Sequence, residues 1–290
     1  IQIVVKWVAT LMEKSMKTSG AETLSISANI FVGQTEAPIL IRPYIKNMTT
    51  SELMAIMTGG FATVAGSVLA LYVLWLEKIP GIAGHMLAAS IMSAPASLVI
   101  AKLIYPETEK TNSLDELNLH IEKNTTNAMD ALGNGATQGL KLAANIGAML
   151  IAFISILSMI NFTLEHFLNI NLQEILGMIF SPLAWTMGIP WKEANIVGRL
   201  MGEKIVLTEL IAYGSLGDLI NNNLISERSA IISSYALCGF ANFGSIGIQL
   251  GGIGAMAPEK RNILSKIVLK AMVGGALASW LTATIAGILI

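Results

Sequence analysis

Two glutamates stand inside apolar parts of this sequence, where a charged side chain is unexpected. Glu36 lies in TLSISANIFVGQTEAPILIRPYI (23–45), and Glu209 lies in GEKIVLTELIAY (202–213). Each follows a threonine at a point where the apolar run is broken, and a broken segment exposes backbone N–H and C=O groups that need partners. A carboxylate at membrane depth is costly unless it is paired or faces water. Both glutamates are therefore predicted to bind a polar ligand, with a helix cap or an interface contact as the alternative for each.

A second set of polar side chains lies in the glycine-rich segment CGFANFGSIG (238–247). Asn242 and Ser245 are three residues apart, which places them on one face of a helix. That face is suited to hydrogen-bond the hydroxyls of a ligand, with Phe240 stacking beside them. The alternative is glycine-assisted helix packing in which the asparagine bridges two helices.

A cation site is predicted at Asn29, Val32, Thr63 and Val64. A hard cation such as Na⁺ needs several oxygen ligands, and backbone carbonyls at helix breaks supply them. The Asn and Thr side chains add two more oxygens. The alternative is that both side chains form interhelical hydrogen bonds.

The composition requires an apolar solvent around these residues. Of 290 residues, 53% are hydrophobic and only 13% are charged, and the mean hydropathy is +0.65. Soluble domains carry about 25% charged residues, and about 20 apolar residues cross a bilayer core. The net charge of -1 and the lack of a basic stripe argue against a nucleic-acid partner. Five segments are long and apolar enough to be membrane spans: 53–76, 82–101, 142–164, 229–258 and 271–290.

Two apolar regions are too interrupted to cross a membrane as single helices. Residues 23–45 are broken around Glu36, and residues 175–217 form two short pieces around Pro190. Pieces of 10–14 residues are too short to span, so each region is predicted to be a re-entrant hairpin that enters and leaves on one side.

The sequence also contains a weak internal repeat. FVGQTEAPI (31–39) aligns with KIVLTELIA (204–212) at an offset of 173, and SELMAIM (51–57) aligns with SERSAII (226–232) at an offset of 175. The first alignment pairs Glu36 with Glu209. Repeated halves with interrupted segments at matching positions are typical of transporters and point to the binding site.

The predicted fold class is an all-α polytopic membrane protein with an inverted repeat of re-entrant hairpin plus interrupted transmembrane helix. Lys and Arg concentrate on one face of this topology, which places the opening of the first hairpin in the cytoplasm and the C-terminus outside. The predicted parts are the end of an N-terminal scaffold with the first hairpin (1–50), an interrupted helix and the following span (51–106), an interfacial segment and scaffold span (107–168), the second hairpin (169–220), and a second interrupted helix with a C-terminal span (221–290).

Three motifs resemble those of the concentrative nucleoside transporter family, and since their order, their spacing and the intervening spans agree as well, the resemblance covers nearly the whole chain. They are ANIFVGQTEAPILIRPYI (28–45), GEKIVLTELIAY (202–213) and CGFANFGSIGIQLGGIGAMAPEKR (238–261). In the second motif the family has Asn and Phe where this chain has Thr208 and Leu210, a departure expected to tune the contacts of Glu209. The resemblance implies uptake of nucleosides driven by a Na⁺ gradient, with H⁺ as the alternative ion, no cofactor, and a homotrimer in the bacterial inner membrane. It also implies a further N-terminal helical region.

The resemblance also implies a role for each candidate residue. The nucleobase would meet Gln34, Thr35 and Glu36, with Val68 packing on it. The ribose hydroxyls would bind Glu209, Asn242 and Ser245, with Phe240 alongside. Na⁺ would bind the side chains of Asn29 and Thr63 and the carbonyls of Val32 and Val64.

Three other functions are weighed against nucleoside symport. A membrane protein with a related gate-domain hairpin need not transport nucleosides, but it should lack the paired GQTE and FANFGS segments. A membrane-embedded hydrolase would use the two glutamates as acid and base, yet no nucleophile or metal-ligand set accompanies them, so the chain is not expected to be an enzyme. A purely structural membrane subunit would not need two glutamates at breaks in its apolar segments.

Overall fold

The computed structural model describes residues 2–109 and 127–290. Within these residues all regular structure is helical, which confirms the predicted all-α class. Short 3-10 helices cover Ala37–Ile41 and Pro258–Lys260. The α-helices are α1 (Gln2–Met16), α2 (Gly20–Asn29), α3 (Arg42–Ile45), α4 (Thr50–Ala62), α5 (Gly66–Trp75), α6 (Ile82–Ile104), α7 (Ala128–Leu168), α8 (Leu172–Thr186), α9 (Trp191–Val206), α10 (Glu209–Asn221), α11 (Glu227–Ala236), α12 (Phe243–Met256) and α13 (Arg261–Leu289).

The described residues form two compact units. The first comprises 2–109 with 173–290 and contains every candidate site residue. The second comprises 127–172 and consists mainly of α7, which has 41 residues and contains the predicted span 142–164. At about 1.5 Å per residue, a helix of this length exceeds the thickness of a hydrocarbon core. Of the predicted interfacial segment, residues 110–126 lie outside the described residues.

Three of the predicted spans are long, apolar and helical in the structure. Among the described residues, the stretches that could cross a membrane by length and hydropathy are Thr50–Trp75, Ile82–Ile104 and Pro258–Leu289. The predicted span 229–258 is divided between α11 and the shorter apolar helix α12.

Two of the apolar segments are interrupted helices, as predicted. The chain between α4 and α5 is extended, with Thr63 at φ −107°, ψ 159° and Ala65 at φ −64°, ψ 136°. Between α11 and α12 the chain turns at Gly239, whose φ is +92°, and becomes extended at Asn242, the N-cap of α12. Each break leaves backbone groups without helical partners in the middle of an apolar segment.

The two breaks touch each other at Gly239. A Cβ at this position would lie 2.5 Å from the carbonyl oxygens of both Phe61 and Ala62, at the end of α4. Only glycine combines this approach with a left-handed backbone. The same end of α4 packs against α13, where Gly275 faces Phe61. These close contacts hold the two interrupted helices together.

The region of the first predicted hairpin contains two helical arms joined by a turn. Ser19 caps α2 in a capping box with Glu22, and α2 ends at Asn29. The chain then turns through residues 30–36 and returns as the 3-10 helix Ala37–Ile41 and α3. The turn therefore contains the GQTE residues, as the sequence predicted.

The region of the second predicted hairpin contains three helices. Pro190 separates α8 from α9, since a proline is suited to the start of a helix. These two pieces pack against each other, because a Cβ on Gly198 would lie 2.6 Å from the carbonyl oxygen of Gly177. A further turn, beside Glu209, lies at Leu207 and Thr208 between α9 and α10, which also pack together. The pair α9 and α10 is the second hairpin of the site described below.

Candidate functional site

Glu209 is the first residue of α10 and is buried, with 5% of its surface exposed. Its Oε2 accepts a hydrogen bond from Asn242 Nδ2 over 2.9 Å, and its Oε1 accepts one from Tyr72 Oη over 3.3 Å. Thr208 caps the helix, because its Oγ1 accepts from Ile211 N over 3.4 Å. The positive end of the α10 dipole favours a carboxylate here. Both interrupted helices thus contribute a donor to one buried carboxylate.

A chain of hydrogen bonds continues from Asn242 to the first hairpin. Asn242 Oδ1 accepts from Ser245 N over 2.7 Å, and Ser245 Oγ accepts from Gln34 Nε2 over 3.1 Å. Gln34 Oε1 in turn accepts from Gln249 Nε2 over 3.0 Å. All four side chains are buried. The structure therefore joins both hairpins and α12 in one polar cluster of predicted site residues.

Sequence reasoning missed two members of this cluster, Tyr72 and Gln249. Gln249 also donates to the carbonyl of Met57 over 3.1 Å, so it links α12 to α4. A signal was present, because Gln249 lies four residues after Ser245 in an uncharged helix and shares its face. Tyr72 had no such signal, since its hydroxyl meets a residue 137 positions away.

Thr35 and Glu36 lie at the tip of the first hairpin but outside the buried hydrogen-bond chain. Thr35 faces α12, where a Cβ on Gly252 would lie 2.9 Å from its methyl group. Glu36 is exposed, and its carboxylate lies beside Gly33. The structure thus buries Glu209 but leaves the repeat-related Glu36 open to solvent.

The two predicted apolar contacts lie beside the breaks. Val68 is half-buried in the first turn of α5. Phe240 is half-buried in the break before α12, where its carbonyl accepts from Asn242 N over 2.8 Å. Both residues are close in sequence to members of the polar cluster, and neither side chain is fully buried.

The predicted cation ligands belong to two chain breaks that meet. Gly66 N donates to Phe31 O over 3.3 Å, which joins the turn after α2 to the break after α4. Asn29 is fully buried, and neither its Oδ1 nor its Nδ2 has a hydrogen-bond partner among the described residues. Thr63 Oγ1 donates to Gly59 O over 2.9 Å and keeps its lone pairs for another contact. A buried amide without a partner fits an oxygen ligand for a cation.

A buried carboxylate and broken helices arranged in two related halves are the architecture of a secondary transporter. The profile of the family described as Na⁺ dependent nucleoside transporter C-terminus matches residues 85–287, and a Gate profile described as nucleoside recognition matches residues 1–78. The chain belongs to the concentrative nucleoside transporter family. It is therefore a transporter and not an enzyme, and the resemblance inferred from the motifs is confirmed.

The relatives include bacterial and mammalian transporters. A nucleoside permease, NupC, of Helicobacter pylori is 42% identical over 96% of this chain and 67% of its own length. An uncharacterized transporter of Haemophilus influenzae is 42% identical over the whole chain and 71% of its own length. Sodium/nucleoside cotransporter 1 of Mus musculus is 41% identical, and the chain spans 47% of its length.

Solved structures of CNTnw share this fold. The inward-facing substrate-bound state of CNTnw superposes with a TM-score of 0.90 at 44% identity, covering 99% of this chain and 69% of that one. An outward-facing state superposes with a TM-score of 0.89 at 43% identity, covering 99% and 70% of the two chains.

Proposed function

We propose that this protein is a Na⁺-coupled symporter that imports nucleosides by alternating access, with its site between the two hairpins and the two interrupted helices. The observation that carries the proposal is the buried hydrogen-bond chain from Glu209 through Asn242 and Ser245 to Gln34. It gathers predicted ribose and nucleobase ligands from three separate elements. A site of this kind offers many hydrogen bonds in a dry setting, which suits an uncharged solute rich in donors and acceptors.

The ribose would bind at Glu209, Asn242 and Ser245. An ionised carboxylate accepts hydrogen bonds from hydroxyls more strongly than a neutral group does. These side chains now bond to one another, so a sugar would exchange those bonds for its own, with Phe240 packing alongside.

The nucleobase would bind at the tip of the first hairpin. Gln34 presents both a donor and an acceptor, and Thr35 lies beside it against α12. The exposed carboxylate of Glu36 would accept from a base N–H group as the solute enters from water, and Val68 offers an apolar surface. The tip would therefore recognise the base while Glu209 recognises the sugar.

Na⁺ would bind at Asn29 and Thr63 with the carbonyls of Val32 and Val64. The Oδ1 of Asn29, which has no hydrogen-bond partner in the described part of the chain, and the lone pairs of Thr63 Oγ1 would provide oxygen ligands where two breaks meet. An ion held there would order the turn that carries Gln34. Because coupling is reciprocal, bound nucleoside would tighten Na⁺ by the same factor.

Transport would follow from movement of the hairpins and interrupted helices past a fixed scaffold. The states described for CNTnw, inward-facing, outward-facing and intermediate, support such a cycle. We further propose that both hairpins are re-entrant, that the protein is a homotrimer, and that it resides in the bacterial inner membrane.

A gate-domain protein that does not transport nucleosides is the second candidate, because the Gate profile matches residues 1–78. The nucleoside transporter profile over 85–287 favours symport instead. It covers the part of the chain that contains Glu209, Asn242 and Ser245.

Uptake of radiolabelled uridine and adenosine into proteoliposomes tests the proposal. Uptake should be accelerated by an inward Na⁺ gradient and should fall when choline replaces Na⁺. If a proton uncoupler abolishes uptake and Na⁺ removal does not, the coupling ion is H⁺. Uptake that responds to neither treatment refutes cation coupling, and absence of nucleoside binding by calorimetry favours the gate-domain candidate.

A further inference from the structure

Lys204 is a fully buried lysine in the last turn of α9, and neither nucleoside binding nor Na⁺ binding accounts for it. Its Nζ donates to the carbonyl oxygen of Ala236 over 3.0 Å and to that of Cys238 over 2.7 Å. Ala236 is the last residue of α11, and Cys238 follows it in the break. The ammonium group therefore lies on the broken end of the second interrupted helix.

The partners of this charge are backbone carbonyls. A buried ammonium is costly unless it is compensated, and within the described residues no carboxylate forms an ion pair with Lys204. The C-terminal end of a helix carries a partial negative charge that favours a cation. Ser279 Oγ adds a second donor to the Cys238 carbonyl over 2.6 Å. Carbonyls at a helix break are also the ligands that a mobile Na⁺ would use.

The first half of the repeat has the same arrangement without the built-in charge. There the arm α2 ends at Asn29, and the turn that follows it meets the break after α4 through the hydrogen bond from Gly66 N to Phe31 O. At the offset of 173 that aligns the two hairpin segments, Lys204 corresponds to Phe31, two residues after Asn29, and at the offset of 175 that aligns the two breaks, Cys238 corresponds to Thr63. Asn29 is neutral and its amide lacks partners among the described residues, whereas Lys204 supplies a cation of its own.

We propose that Lys204 is a tethered cation that takes, in the second half of the repeat, the position that exchangeable Na⁺ takes in the first half. The comparison of the two halves rests on the proposed function. The ammonium group then compensates the partial negative charge of the carbonyls at the second break throughout the transport cycle. Only the first break binds and releases an ion. Each subunit therefore has one exchangeable cation site, although each half of the repeat contains a break with carbonyls that suit a cation.

The test is to remove the tethered charge and to ask whether Na⁺ replaces it. Lys204→Ser and Lys204→Gln would be made in the full-length protein, and thermal unfolding in detergent would be followed against Na⁺ without nucleoside, with choline keeping the ionic strength constant. Both variants should lose stability in choline. Saturating Na⁺ should raise their unfolding temperature by about 3 °C more than it raises that of the wild type.

Two further variants assign the response to the second break. Lys204→Arg keeps a positive charge and should show no additional response to Na⁺. The double variant Asn29→Leu with Lys204→Ser lacks the proposed site of the first half, so its remaining response to Na⁺ belongs to the second.

The possible results separate this inference from the proposed function. A wild type without a Na⁺ response, together with a responsive Lys204→Ser, refutes the Na⁺ site at Asn29 and supports the role of Lys204. A Lys204→Ser response equal to that of the wild type overturns the role of Lys204. Failure of both neutral variants to fold in saturating Na⁺ overturns it as well, because the inference requires that Na⁺ can replace the ammonium.

Discussion

Gln34 and Gln249 lie 215 positions apart in the chain and hydrogen-bond to each other inside the protein, with Gln249 Nε2 donating to Gln34 Oε1 over 3.0 Å. This bond ties the tip of the first hairpin to the middle of α12. Gln249 Nε2 is also shared with the carbonyl of Met57 on α4. A single amide therefore holds three elements of the proposed site together, and its loss should loosen the hairpin that meets the nucleobase.

A double-mutant cycle should detect this bond directly. Gln249→Ala leaves Gln34 Oε1 buried without a donor, so it should lower the free energy of unfolding by about 1–3 kcal/mol. Combined with Gln34→Ala, the measured coupling energy should reach about 0.5–3 kcal/mol. Unfolding in mixed micelles titrated with detergent gives both values. Gln249→Ala paired with Glu227→Gln, an exposed change on α11, should be additive, and additivity in the Gln34 pair as well would contradict the bond.

Glu209→Gln should remove most nucleoside transport and leave assembly intact. The substitution keeps the shape of the side chain but removes its charge, and a hydrogen bond to a charged group contributes about 1.5–3 kcal/mol. Uridine uptake and affinity should therefore fall by at least about tenfold. Glu227→Gln is the matched control, because Glu227 lies in the first turn of α11 and is exposed. Wild-type uptake by Glu209→Gln would exclude the ribose role.

The Tyr72→Phe variant distinguishes the contribution of the tyrosine donor to transport from the contribution of the Glu209 charge. The change removes one donor to the carboxylate, at 3.3 Å, and leaves the bond from Asn242 in place. Uptake should fall by less than in Glu209→Gln, since the remaining carboxylate still accepts from the ribose. A larger loss in Tyr72→Phe than in Glu209→Gln would show that the tyrosine itself contacts the solute.

Gly239→Ala should disrupt the crossing of the two breaks. The new Cβ would lie 2.5 Å from two carbonyl oxygens of α4 and would also require an unfavourable φ of +92°. The unfolding temperature and the yield of folded protein should both drop, and uptake should be lost. Gly251→Ala on α12 meets nothing within 4 Å and should raise helix stability by about 0.5–1 kcal/mol. Equal behaviour of the two variants would contradict the close approach at Gly239.

Local signals predicted much of this architecture, and distant contacts account for what they missed. The apolar runs indicated α4 to α6 and α13, and the GQTE residues marked the first turn. The charged Glu209 in an apolar run marked the break at Thr208, and Pro190 marked the separation of α8 from α9, although neither signal showed which helices pair around the site. The roles of Tyr72 and Gln249 depend on partners more than 100 positions away. No local pattern shows such pairs, and the packing of the breaks creates them.

The effect of removing the buried amide of Asn29 on stability shows whether this residue is an ion ligand or a structural asparagine. In a structural role its loss would always destabilise the protein, because buried amides that hold a fold are hydrogen-bonded. Both polar atoms of Asn29 lack partners among the described residues, so Asn29→Leu, which keeps a similar volume, should raise stability without Na⁺ by about 1 kcal/mol or more. The same variant should lose the stabilisation by Na⁺ and the Na⁺ dependence of uptake.

Ser25→Ala is the matched control, since Ser25 is buried one turn earlier on α2 and its Oγ is also without a partner among the described residues. It should keep the full response to Na⁺. Thermal unfolding in Na⁺ and in choline measures all three proteins, and a destabilised Asn29→Leu that still responds to Na⁺ would place the ion elsewhere.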